Sequence, residues 1–66
     1  MKIGKRLRDL REEEGLLQKD VAKALGISRS TYTNYEQGTR EPSLDMVVKL
    51  CDFYKVSADY LLGRED

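Results

Sequence analysis

Apolar side chains recur along the chain at helical spacing. Ile3, Leu7 and Leu10 stand at i, i+4 and i+7, which predicts a first helix that ends before Gly15. Two i,i+4 charge pairs, Lys5–Asp9 and Arg8–Glu12, support it weakly. Val21 and Leu25, with Ala22 beside them, predict a second helix from about Gln18 to Leu25, stopped by Gly26. Ser28 offers its hydroxyl as N-cap to a third helix that runs to about Gln37 and closes at Gly38. Glu41-Pro42 reads as a turn, because the residue before proline avoids helical geometry. Ser43 caps a fourth helix through Tyr54, with Leu44, Val47, Leu50, Cys51 and Tyr54 expected on its inner face. Ser57 opens a short last helix that holds Leu61 and Leu62. No segment alternates with the period of a strand. The expected fold is all-α, a compact five-helix domain spanning residues 1–66.

Size and composition narrow what such a fold can do. A chain of 66 residues buries one small core and has no room for a deep pocket. Its longest apolar runs, Met46-Val47-Val48 and Tyr60-Leu61-Leu62, are too short for a signal-peptide core or a membrane span, so no membrane role is expected. Cys51 is the lone cysteine, which excludes an intramolecular disulfide and makes the cytoplasm the simplest location. Net charge is zero, which at first sight argues against a nucleic-acid partner. The distribution is less neutral. Residues 1–40 carry a balance of +3 and residues 41–66 a balance of −3, so one part of the surface suits phosphate better than the other.

The most constrained stretch is residues 18–37. Two short helices that cross steeply through a tight turn need a small residue at the crossing, and Ala22 supplies it. The turn needs a residue tolerant of positive φ, which Gly26 provides. Ile27 is placed to plug the gap between the helices, while Val21, Leu25, Tyr32 and Tyr35 form the shared core. This spacing is that of a helix-turn-helix. On the third helix, Thr31, Tyr32 and Tyr35 fall on the side to be buried, and Arg29, Ser30, Thr33, Asn34 and Gln37 on the other. That outer stripe holds neither an acid nor a hydrophobe. Arginine pairs with guanine, asparagine with adenine, and threonine offers a methyl to thymine, so Arg29, Ser30, Thr33 and Asn34 are candidate base readers. A merely solvated face usually carries glutamate as well as lysine.

Together these segments resemble the phage-repressor helix-turn-helix family, the Cro and lambda-repressor-like (XRE) regulators. Gly15-Leu16-Leu17-Gln18 is similar to the family's approach to helix two, and Tyr35-Glu36-Gln37-Gly38 to its exit from helix three. Pro42-Ser43-Leu44 and Val56-Ser57-Ala58-Asp59-Tyr60-Leu61-Leu62 resemble its closing helices, so the likeness covers roughly residues 3–63. The resemblance implies a lambda-repressor-like fold and a regulator, expected to be a repressor, that binds a short palindromic operator in double-stranded DNA as a homodimer. It places Gln18 against a phosphate, with its backbone amide helping as helix N-termini do. Gln37, Thr39 and Arg40 fall where the family grips the DNA backbone, and Arg11 and Glu36 where relatives form a bridge. Three departures stand out, one of them Phe53, where the family often has a small residue. Leu17 occupies the position of a capping residue, which leaves helix two to fray or to be anchored by packing. Lys55 stands where a glycine is common.

The remaining chemistry is sparse. The chain lacks histidine, Cys51 sits among apolar neighbours, and Glu12-Glu13-Glu14 point in different directions around a helix end. No catalysis, metal or cofactor is expected. Met46 and Phe53 lie seven apart on helix four and Tyr60 close to them, either as extra core or as a contact for a second subunit. Two other roles fit the same fold. One is the DNA-binding antitoxin of a toxin–antitoxin pair, which also binds a protein toxin. The other is a protein-interaction module that has lost DNA binding, against which the outer stripe of helix three speaks.

Overall fold

Helix α1 (Ile3–Glu13) turns Ile3, Leu7 and Leu10 into the core, as its i, i+4, i+7 pattern dictates. The computed structural model describes residues 3–64, and among them four further helices come after α1: α2 (Gln18–Leu25), α3 (Arg29–Gln37), α4 (Leu44–Tyr54) and α5 (Ala58–Leu61). Both α1 and α2 pack on α3, while α5 joins α4 to α1. Tyr32, Leu7, Leu50, Leu61 and Val21 are the largest fully buried side chains. One small core therefore takes a side chain from every helix. The hydroxyls of Tyr32 and Tyr54 meet at 2.7 Å inside it, so α3 and α4 share a hydrogen bond as well as apolar surface.

Local chemistry explains the helix ends. Ser28, Ser43 and Ser57 each accept from the backbone N–H three residues on, at 3.1, 3.2 and 3.0 Å. Leu17 has no side chain able to do this, yet the start of α2 is not left open. Asp20 folds back so that its Oδ2 accepts from the Leu17 N–H at 3.1 Å. Gly26 takes φ 74° and ends α2, with Ile27 N donating to Ala22 O at 3.0 Å. Lys55 ends α4 at φ 58°, a conformation that costs a side chain more than it costs glycine.

Two expectations fail at the margins. Leu44, expected on the inner face of α4, is 80% exposed. The buried stripe of that helix is Val47, Leu50 and Tyr54, and at ~100° per residue Leu44 lies about 90° from its centre. Cys51, at the edge of the stripe, is half-buried and packs against the core, as its place on the inner face requires. Thr31 is also half-buried, and its hydroxyl oxygen accepts from the Ser28 hydroxyl at 2.8 Å.

Candidate nucleic-acid interface

Glu36 sits near the C-terminal end of α3 and is 5% exposed. Burying a carboxylate is costly unless it is paired and hydrogen-bonded. Arg11, in the last turn of α1, supplies the pair: Nε donates to Oε2 at 2.7 Å and Nη2 to Oε1 at 3.1 Å. The third guanidinium nitrogen, Nη1, donates to the Leu16 carbonyl at 3.0 Å, which ties the loop before α2 to the same point. Burial pushes the Glu36 carboxyl up, but hydrogen bonds from Arg11, Gln18 and Tyr32 outweigh it and hold the group below its ordinary range. The same bond to Glu36 raises the Arg11 pKa.

Gln18 extends this arrangement to the surface. Its Nε2 donates to Glu36 Oε1 at 3.1 Å, and its Oε1 accepts from the Thr33 hydroxyl at 2.9 Å. A chain of contacts thus leads from Arg11 through Glu36 and Gln18 to Thr33. Gly4 closes the structure beneath it. A Cβ there would stand 2.7 Å from the Tyr35 carbonyl oxygen and closer still to that of Glu36, so only glycine lets α1 approach the end of α3 this closely.

Outside, Gln18, Arg29, Ser30, Thr33 and Asn34 line one open hollow. Arg29 and Ser30 are exposed in the first turn of α3, with Thr33 and Asn34 half-buried a turn later. Gln37 is exposed at the end of the helix. Thr39 and Arg40 are exposed in the loop after α3, where both backbone amides donate to the Asn34 carbonyl, at 3.0 and 3.4 Å. Ala22 is buried where α2 meets α3, and Gly26 makes the turn between them. Met46, Phe53 and Tyr60 are each half-buried and pack against the core. Phe53 lines a hollow with Ala24, Leu25, Lys49 and Asp52, whereas Tyr60 lies under the Arg6 guanidinium at 4.7 Å and faces Lys5 and Asp9. The more exposed apolar pair on α4 is Leu44 and Val48, one turn apart.

Sequence reasoning missed Gly4, the Asp20 substitute cap and the Gln18–Thr33 bond. The three-residue spacing from Leu17 to Asp20 was a usable signal for the cap. Nothing local signals the other two, which depend on where distant segments meet.

Two short helices joined by a glycine turn, the second with an acid-free polar face, define a helix-turn-helix unit embedded in five helices. Comparison with known proteins agrees. A family model described as "Helix-turn-helix" matches residues 7–61, and the chain belongs to that family in its phage-repressor form. It is 42% identical over its whole length to "HTH-type transcriptional regulator ImmR" of Bacillus subtilis (strain 168), covering 52% of that protein. It is 47% identical over 92% of its length to "Cryptic phage CTXphi transcriptional repressor RstR" of Vibrio cholerae, covering 55% of it. It is also similar, at 33% over 96% of its length, to "Antitoxin PezA" of Streptococcus pneumoniae serotype 4, covering 40% of that protein. The chain thus spans about half the length of most curated relatives it matches. No helix among the described residues is long and apolar enough to cross a membrane.

Proposed function

We propose that this chain is the DNA-reading domain of a transcriptional regulator, a repressor that occupies a short palindromic operator as a cytoplasmic homodimer and needs neither metal nor cofactor. One observation carries the reading. The only acid on α3, Glu36, is sealed beneath Arg11, so the face that Arg29, Ser30, Thr33 and Asn34 present to the hollow is free of negative charge. Those four read base edges in the major groove. Gln37, Thr39, Arg40 and the first turn of α2 at Gln18 hold phosphates on either side. Sites should be selected from random duplex DNA by the purified chain. The expected result is an inverted repeat with half-site centres ~34 Å apart, bound less tightly as salt rises because phosphate contacts release counterions. Failure to enrich any sequence, or indifference to salt, would overturn the reading.

The second copy is proposed to cover α4. Leu44 and Val48 offer the most exposed apolar surface there, flanked by exposed Asp45 and Lys49. Across a two-fold axis, Asp45 of one copy faces Lys49 of the other when the two helices run antiparallel, so the patch is complementary to itself. Two apolar side chains fall well short of the ~800 Å² per partner that a stable interface buries. Pairing therefore occurs on the operator rather than before it. The flank that carries Met46 and Phe53, with Tyr60, is the competing contact.

The resemblance to a protein named as an antitoxin supports a second reading, in which a toxin is also bound. A toxin that co-purifies with this chain and is released only by denaturant would establish it.

A further inference from the structure

The hydrogen-bond chain beneath α3 has a direction, and the direction reaches the DNA-facing surface. Glu36, ionised and held below its ordinary pKa, can only accept. The Gln18 atom 3.1 Å from it must then be the amide nitrogen, which turns the amide oxygen towards Thr33 at 2.9 Å. An amide oxygen has no proton to give, so the Thr33 hydroxyl spends its single hydrogen on Gln18. What Thr33 has left for the hollow it shares with Arg29, Ser30 and Asn34 is an oxygen lone pair and a methyl group.

We propose that Thr33 is a specificity-determining residue that reads its base pair as a hydrogen-bond acceptor, and that Gln18 is the positioning residue that sets this polarity. The inference rests on the DNA-reading function proposed above. It departs from reading Thr33 as a methyl contact to thymine and Gln18 as a phosphate contact alone. An ordinary threonine can donate or accept and so discriminates poorly. With its proton committed, Thr33 favours an exocyclic amino group, N6 of adenine or N4 of cytosine, on the strand it faces. It disfavours the acceptor-only O6 and N7 of guanine. The second hydrogen of Gln18 Nε2 and the backbone amides of Gln18 and Lys19 remain for a phosphate, so the two roles of Gln18 are compatible.

The test begins with the site selected from random DNA by the unaltered chain. Failure at that step counts against DNA reading itself and is distinct from failure of the Thr33 assignment. Thr33→Val keeps shape and methyl but removes the acceptor, and the base pair whose preference it alters is the one Thr33 reads. At that position the amino group is deleted chemically, with purine in place of adenine or pyrimidin-2-one in place of cytosine. The unaltered protein is expected to lose about three- to ten-fold in affinity, the worth of one neutral hydrogen bond, beyond any loss by Thr33→Val on the same duplexes. Gln18→Leu frees the Thr33 hydroxyl to donate. It should raise relative affinity for guanine at this base pair and leave preferences at the other base pairs unchanged. Equal losses for the unaltered protein and Thr33→Val overturn the proposal. So does the absence of any base-selective effect of Thr33→Val, or a Gln18→Leu loss that is uniform over all base pairs. A loss confined to replacing thymine by uracil would return Thr33 to methyl contact.

Discussion

Arg11 holds Glu36 through two of its nitrogens across 25 residues of sequence, with the Arg11 side chain 14% exposed and that of Glu36 fully buried. Removing one partner leaves the other charge stranded. Arg11→Ala is therefore expected to lower unfolding stability by about 3–5 kcal/mol, far more than an exposed pair is worth. Arg11→Ala combined with Glu36→Gln should be less destabilising than the two single losses added together. Urea denaturation of the four proteins measures the coupling, expected at about 1–3 kcal/mol. Additive losses would reduce the two residues to independent contributors.

The same carboxylate sets an acid limit. Burial raises its pKa, but the bonds from Arg11, Gln18 and Tyr32 lower it further, so the folded value lies below the ordinary 4.5. A depressed folded pKa contributes stability above the unfolded value, and that stability is lost as pH falls through the folded one. Unfolding free energy should decline from about pH 4.5 downwards. In Glu36→Gln that part of the decline should vanish, on a lower plateau. Identical slopes for the two proteins in chemical denaturation below that pH would remove Glu36 from the account.

Gly4 lies within α1, where alanine is the better helix former by about 1 kcal/mol. Propensity thus predicts that Gly4→Ala stabilises. The approach of α1 to the Tyr35 and Glu36 carbonyls predicts the opposite sign, a loss of about 1–3 kcal/mol as the helices are forced apart. A thermal melt decides between them.

Arg29 projects from the first turn of α3 into the open hollow. Arg29→Ala should cost about 1–3 kcal/mol on the best operator and relax preference at one base pair per half-site. Affinity across a library with each base pair changed in turn checks this. A uniform loss would make Arg29 a phosphate contact and leave base reading to Ser30, Thr33 and Asn34.

Leu44 is exposed, so Leu44→Asp should leave the monomer's melting temperature within a few degrees of the original. It should weaken binding to the inverted repeat while sparing binding to an isolated half-site. Met46→Asp tests the opposite flank of α4. Loss of palindrome binding in that variant alone would move the dimer contact to Met46, Phe53 and Tyr60.

Local sequence sufficed for the five helices, the serine caps of α3, α4 and α5 and the glycine turn at Gly26. Each depends on neighbours within a few residues, whose hydrogen bonds and apolar spacing form the same way wherever the segment sits. It also marked the acid-free polar stripe of α3, because side-chain type and helical phase suffice to place it. The burial of Glu36, the close contact at Gly4 and the exposure of Leu44 emerge from packing between segments. Burial at those positions depends on which distant segment arrives opposite them: α1 on the end of α3, and for Leu44 none. The polarity of Thr33 lies furthest from anything local. It is set by a carboxylate three residues along its own helix, read through an amide on another helix, and no window of neighbouring residues contains that path.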